Sequence, residues 1–225
     1  SKMYSKLKES FLEKMISSIQ CFESYMTSNC YVVVPDRNSS VCYLIDLPPD
    51  YERAIEYVAE NNLSIGGVLL SHGHLDHTLG LNSYNGKNIF INLDDEFLAR
   101  NPEEQLKGLV FDPDVSLESY SGELSEILDL NTNGLTIYKN PGHTKGSVSV
   151  HFSKIGAVFT GDFVFAEGIG RTDLYSGDIN EMKSSINNVF MQFDEQLNIF
   201  PGHGKSDSVK NILKYNRYLW EMIDD

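Results

Sequence analysis

Two kinds of apolar pattern alternate along this chain. Short runs rich in β-branched and aromatic residues, closed by Gly, Pro, Asn or Asp, read as strands: "MISSIQCF", "CYVVVP" and "VCYLIDL", then "IGGVLL" and "KNIFIN". Between them, apolar residues recur at helical spacing. In "PDYERAIEYVAENN" the positions Ala54, Ile55, Val58 and Ala59 share a helical face, with Asp50 placed to cap its start. Further helices are expected near "DDEFLAR" and "GELSEIL". The second half repeats the alternation, with strands "LTIYKN", "SVSVHF", "AVFTGD" and "LNIF" and helices over 178–191 and 206–221. A weaker pattern at Met3, Leu7, Phe11 and Leu12 predicts a helical extension over residues 1–14, ahead of one domain over residues 15–225.

Strand runs in both halves, each followed by helices, imply an α+β fold of two packed sheets with helices outside. Polar chemistry gathers where those strands stop. "SHGHLDHTLG", directly after "IGGVLL", packs together His72, His74, Asp76 and His77. His143 lies in "NPGHTKGS", Asp162 closes "AVFTGD", and His203 lies in "FPGHGK". Strand ends at one edge of a sandwich can converge on a single cleft. His151, inside "SVSVHF", reads as an ordinary strand residue.

Crowded imidazoles repel when charged and cost free energy to desolvate, and a metal resolves both problems. His72 and His74 alternate across a tight turn and can face one ion, while Asp76 and His77 can face a second. Neutral imidazole and carboxylate suit zinc, iron or manganese. A buried carboxylate at Asp162 needs a compensating charge. Glycines beside His143 and His203 allow the backbone to approach closely.

Composition narrows the field. A formal net charge of −14 argues against a nucleic-acid partner, which needs a cationic footprint, and two divalent cations would offset part of it. Hydrophobic content of 41% is ordinary for a globular chain, and no apolar run has membrane-spanning length. The start, "SKMYSKLKESFLEKM", is charged and has no apolar central region, so the expectation is a cytoplasmic monomer or homodimer away from membranes. Cys21, Cys30 and Cys42 form no CxxC pair and are expected to be reduced, buried thiols. No "GxSxG" is present, so chemistry through a serine nucleophile is not expected.

Taken in order, these motifs resemble the metallo-β-lactamase-fold superfamily from about Ser18 to Leu219. Within it, "TGDFVFAEGIGRTDL" and "FPGHGKSDSVKNILKYNRYL" are most similar to the glyoxalase-II-like hydrolases, particularly their compact single-domain members. The resemblance implies an αββα sandwich with its metal site at one edge. It implies that His72, His74 and His143 hold one metal, that Asp76, His77 and His203 hold another, and that Asp162 bridges them. The cofactor would be two divalent ions, zinc foremost, with iron or manganese tolerated. His77 stands where zinc β-lactamases usually carry another residue, and no cysteine lies near a ligand position, which argues against antibiotic hydrolysis.

Hydroxide held between two such ions would attack a carbonyl that the metals polarise, with Asp76 and Asp162 as the catalytic carboxylates. A thiolate, whose conjugate acid has a pKa of about 8.5, leaves with little help from an acid. A small-molecule thioester therefore fits the equipment, and the resemblance implies S-D-lactoylglutathione or a related acylglutathione. Arg171 and Tyr175 are the nearest counterparts of residues that contact glutathione, although Arg171 is equally placed to brace its loop against Asp173. Lys145 can meet an anionic substrate tail or stand solvated. A mononuclear-iron persulfide dioxygenase, with iron on His72, His143 and Asp162, and a lactonase are the alternatives within the fold. Lys210, Lys214 and Arg217 form a basic face on the last helix, adequately explained as solvated surface.

Overall fold

Alternation along strand β2 (Asn29–Val33) sets the layering of the molecule. Tyr31 and Val33 point into one apolar cluster, while Cys30 and Val32 point into another on the opposite face. Both faces are covered, so every residue of the strand is buried. "CYVVVP" is therefore a continuous apolar run rather than an alternating one. The computed structural model describes residues 18–106 and 117–224, and the helix expected near the N-terminus lies outside them.

The first sheet has six strands in chain order: β1 (Ile19–Glu23), β2, β3 (Val41–Ile45), β4 (Ser64–Leu69), β5 (Ile89–Ile91) and β6 (Ser125–Glu126). β1, β2 and β3 pair antiparallel, and β3 to β6 run parallel. The second sheet has the order β11 (Asp207–Ser208), β10 (Asn198–Pro201), β9 (Ala157–Gly161), β8 (Val148–Phe152), β7 (Leu135–Lys139). Its only parallel pairing is β9 with β10.

Both sheets are thus mixed, and they pack face to face over Tyr31, Val33, Ile45 and Leu69 from one and Ile137, Val150, Phe152 and Phe159 from the other. Helix α1 (Glu52–Glu60) covers the outer face of the first sheet through Ala54 and Val58. Helices α4 (Ile179–Asn188) and α5 (Val209–Tyr215) cover the second through Met182, Ile186, Val209 and Ile212. This is the expected αββα sandwich. No helix among the described residues is long and apolar enough to cross a membrane.

Strand direction then locates the polar edge. β3 and β4 are parallel, as are β9 and β10, and β7 runs with β9 because two antiparallel steps separate them. Their C-terminal ends lie at one edge of the sandwich. Backbone bonds from Val148 N to Ser71 O and from Asn29 N to Gly202 O join the two sheets there.

Several local expectations are corrected. "GELSEIL" is not a helix: Ser125 and Glu126 pair with Phe90 and Ile91, and a 3₁₀ turn follows at Ile127–Leu130 with Ile127 buried. Pairing with β5 overrides the helical propensity. Asp50 does not cap α1. It accepts from the Ser24 hydroxyl and from Tyr25 N instead, while α1 starts after Tyr51 with no side-chain cap. Ala59, assigned to the inner face, is exposed.

The helix expected over 206–221 is two, α5 and α6 (Arg217–Asp224), with Asn216 between them. Asn216 is buried and donates to Phe165 O and Gly168 O, so its side chain anchors the break to the loop after β9. Cys30 and Cys42 are buried as expected, but Cys21 on edge strand β1 is exposed.

Phe159 is fully buried and packs edge-on to Tyr31 and Phe152 and stacks on Phe200, with centroids 5.1 to 5.9 Å apart. Phe159→Ala is expected to cost about 3–5 kcal/mol in urea unfolding. Tyr218→Ala, on the exposed face of α6, is expected to stay within about 0.5 kcal/mol of wild type.

Candidate metal centre

Each polar group enters the site from a strand end. β4 leads into Ser71, His72, Gly73 and His74. His74 keeps an extended backbone just before helix α2 (Leu75–Thr78), which carries Asp76 and His77. The turn between β7 and β8 supplies His143, the residue after β9 is Asp162, and the turn after β10 supplies His203. Gly202 allows that last turn to close on Asp162: a Cβ there would lie 2.2 Å from Asp162 Oδ1.

The seven groups converge. Ligand atoms of His72, His74 and His143 lie within 4.8 Å of one another, as do those of His72, His77 and Asp162 and those of Asp76, His77 and His203. His74 Nδ1 is 2.8 Å from His143 Nε2, and His77 Nε2 is 3.3 Å from His203 Nε2. Asp162 stands between the two groups of imidazoles. Its Oδ1 is 3.3 Å from His77 Nε2, and its Oδ2 is 3.3 Å from His203 Nε2 and 3.5 Å from His143 Nε2. Asp76 Oδ2 lies 3.0 Å from His203 Nε2. Nitrogen donors on one tetrahedral zinc ion, with bonds of about 2.0–2.1 Å, stand about 3.3 Å apart.

Hydrogen bonds behind the imidazoles decide which nitrogen faces inward. His143 Nδ1 donates to Arg171 O at 2.7 Å and His203 Nδ1 to Thr27 O at 2.9 Å, so each turns its Nε2 to the centre. His77 Nδ1 donates to Asp46 Oδ2 at 2.8 Å. Asp46 also accepts from Ser71 N and the Ser71 hydroxyl, and Ser71 Oγ lies 3.0 Å from His72 Nδ1. With the Ser71 proton given to Asp46, its oxygen accepts from His72 Nδ1, and His72 Nε2 is left with a lone pair aimed into the site. That atom and Asp162 Oδ1 are buried and make no hydrogen bond. A buried imidazole nitrogen without a donor, at His72, and a buried carboxylate faced by imidazoles, at Asp162, together fit a divalent metal.

The charge distribution supports the same fit. Burial drives the imidazoles of His72 and His74 down, His72 well below its ordinary value and His74 to about 3, so both are neutral. Burial also opposes charge on His77 and His203, but there the carboxylates win. Asp76, Asp162 and Asp46 hold His77 well above its ordinary value, and Asp162 and Asp76 hold His203 up to about 9. Desolvation would raise the carboxyls of Asp76 and Asp162, yet the facing imidazoles of His77 and His203 keep both well below the usual range. Protons on His77 and His203 thus occupy the place of a cation.

A cleft of about 630 Å³ opens over His74, Asp76, His143 and Asp162. Its walls are largely apolar, from Met26, Leu75, Leu98, Leu106 and Leu174. Arg171 and Tyr175 also line it. The Arg171 guanidinium is held by Asp173 through two bonds of 2.7 and 2.8 Å, and the exposed Tyr175 ring packs against Phe97. Lys145 is not among the lining residues; its Nζ lies 3.5 Å from Asp94 Oδ1. Sequence reasoning overlooked Asp46, Ser71 and Asp95. Asp46 was legible, since "VCYLID" ends a strand in aspartate just as "AVFTGD" does.

Fold and donor set together define a metal-dependent hydrolase scaffold. A family model for the metallo-beta-lactamase superfamily matches residues 25–203, and the chain belongs to that superfamily. Among its relatives, the hydroxyacylglutathione hydrolase GloC of Haemophilus influenzae is 32% identical over 201 residues, which span 85% of this chain and 92% of that protein. Two solved structures share the fold. BLEG-1, a B3 metallo-beta-lactamase, superposes with a TM-score of 0.72 at 24% identity, over 89% of this chain and 99% of its own. TTHA1623, solved in a di-iron-bound form, superposes at 0.73 with 20% identity, over 89% and 98%.

A metal entering this centre must displace the protons on His77 and His203. With His203 raised to about 9, affinity for zinc should climb as pH rises from 6 to 8, by about tenfold per pH unit for each proton displaced. Chelator competition across that range measures the slope. An affinity independent of pH would contradict the protonated, metal-free state.

Proposed function

We propose that this chain is a binuclear metal-dependent hydrolase of small thioesters, with S-D-lactoylglutathione and related acylglutathiones as the foremost substrates. In this proposal His72, His74 and His143 hold one ion, Asp76, His77 and His203 hold the other, and Asp162 bridges them. Zinc is the first candidate; TTHA1623, solved with two irons, supports a two-ion seat in the fold and keeps iron in view. What carries the reading is one observation: His72 Nε2, buried without a hydrogen-bond partner, converges with six further donor groups, four of which line the floor of an open cleft.

Metal ions bound there would polarise the substrate carbonyl and make a water nucleophilic near neutral pH. The protein supplies orientation and proton handling. Asp46 and Ser71 keep the Nε2 lone pairs of His77 and His72 inward, and the carbonyls of Arg171 and Thr27 do so for His143 and His203. Asp76, at the cleft floor and ionised, is placed to take the proton that the attacking water gives up. With substrate bound against them, the apolar walls would lower the local polarity and strengthen charge interactions at the floor.

Two facts favour a thioester over an ester or amide. Asp173, beside the cleft, is held down to about 2 by hydrogen bonds and charge from Arg171, so it cannot protonate a leaving group at neutral pH. A thiolate needs no such proton. The similarity to GloC, at 32% identity along nearly its whole length, supports the hydroxyacylglutathione class. Arg171 would meet the anionic thiol portion after releasing Asp173, and Tyr175 would pack against it.

Protein loaded with two divalent ions per chain is expected to hydrolyse S-D-lactoylglutathione with release of free thiol. Asp162→Ala should fold and lose activity by more than about a hundredfold, beyond the cost typical of outer-shell partners. Retained turnover in that variant would reject the bridging role. One iron per chain, with oxygen uptake on glutathione persulfide, would assign the chain to the dioxygenase reaction instead.

A further inference from the structure

Asp95 sits immediately before helix α3 (Glu96–Arg100), where an aspartate ordinarily accepts from the first backbone N–H groups of its own helix. It makes no such bond. The side chain is fully buried and turns the other way. Its Oδ2 accepts from Gly73 N at 2.8 Å and from the Thr144 hydroxyl at 2.6 Å, and its Oδ1 accepts from Gly146 N at 2.7 Å. Gly73 lies between His72 and His74, and Thr144 directly follows His143. One carboxylate therefore joins two turns whose histidines are 69 residues apart in the chain.

Gln105 completes the grip. Its Nε2 donates to Gly73 O at 3.0 Å and its Oε1 accepts from Leu75 N at 2.9 Å, so the peptide groups on both sides of His74 are fixed. A Cβ on Gly146 would lie 2.5 Å from Asp95 Cγ, and only glycine lets that backbone reach the carboxylate. The other groups are anchored elsewhere: His77 on Asp46, His203 on Thr27. Asp95 itself is not among the residues lining the cleft.

We propose that Asp95 is a positioning residue for the three-histidine half of the centre, setting the affinity for the ion held by His72, His74 and His143 while leaving the half built from Asp76, His77 and His203 unchanged. This rests on the two-ion reading above. Asp95→Asn preserves shape but replaces one acceptor oxygen with an NH2 group, which opposes the N–H donors it faces.

The test reads metal binding, without substrate. Metal-depleted wild type, Asp95→Asn, Thr144→Val and the control Asp94→Asn are titrated with zinc against a chromophoric chelator, and cobalt is substituted to read the ligand field. Asp95→Asn is expected to weaken one of the two ions by about 10–100-fold, with an altered cobalt spectrum and the second ion unaffected. Thr144→Val should move in the same direction by less, and Asp94→Asn should match wild type. Wild-type affinities and spectrum in Asp95→Asn would overturn the inference, and so would equal weakening of both ions, the mark of general loosening. Should Asp95→Asn fail to fold, Thr144→Val decides: loss confined to one ion supports the role and a wild-type titration overturns it. A wild-type chain that takes up no divalent ion would overturn the two-ion reading and this inference together. Failure to cleave any thioester would remove the substrate assignment alone.

Discussion

Imidazole nitrogens 2.8 Å apart, interleaved with carboxylates and mostly buried, do not assemble by mutual preference. Each group loses hydration on burial; His72 Nε2 recovers no hydrogen bond in return, and Asp162 Oδ1 has the charge of His77 at 3.3 Å in place of a metal. The cluster persists because its backbones are held from outside. Asp46 and Ser71 fix His72 and His77, the carbonyls of Arg171 and Thr27 fix His143 and His203, and Asp95 with Gln105 fixes the turn around His74. Metal affinity in such a site is set as much by this outer ring as by the ligands.

The stability that tolerates this strain comes from the three apolar clusters of the sandwich. They also dictate where the strain can be placed. Strands that run parallel bring their C-terminal ends to one edge, so β3, β4, β7, β9 and β10 each deliver a polar residue to the same rim without burying a loop in the core. The backbone bonds from Val148 to Ser71 and from Asn29 to Gly202 lock the sheets together at that rim.

Above the rim, chemistry and recognition come from different parts of the chain. The polar floor is drawn from strand ends, whereas the apolar walls come from α2, α3, the 171–175 loop, Met26 and Leu106. Relatives of the superfamily with one floor and different walls can therefore serve different substrates, which is why membership alone leaves the acyl group and thiol to the shape of the cleft. In this chain the Arg171–Asp173 pair leaves the described walls with little free positive charge.

The period of apolar residues and the chemistry of strand ends are local properties, and they were enough to identify all the strands of the two sheets except β6 and β11, together with the seven converging side chains. Burial on both faces leaves its mark directly in runs such as "CYVVVP", and a histidine beside glycine after a strand is conspicuous wherever its partners lie. Asp95 was hidden because an aspartate in "NLDDEF" looks like an ordinary helix cap, and only the arrival of Gly73 and Gly146 gives its carboxylate another use. "GELSEIL" became a strand because β5 offered an unpaired edge, and the last helix broke because Asn216 found two loop carbonyls. Composition and spacing along one dimension thus settled layers and ligand types. Which donor meets which acceptor was settled by the packing of distant segments, since the free energy of a hydrogen bond depends on who is within 3 Å and not on who is next in the chain.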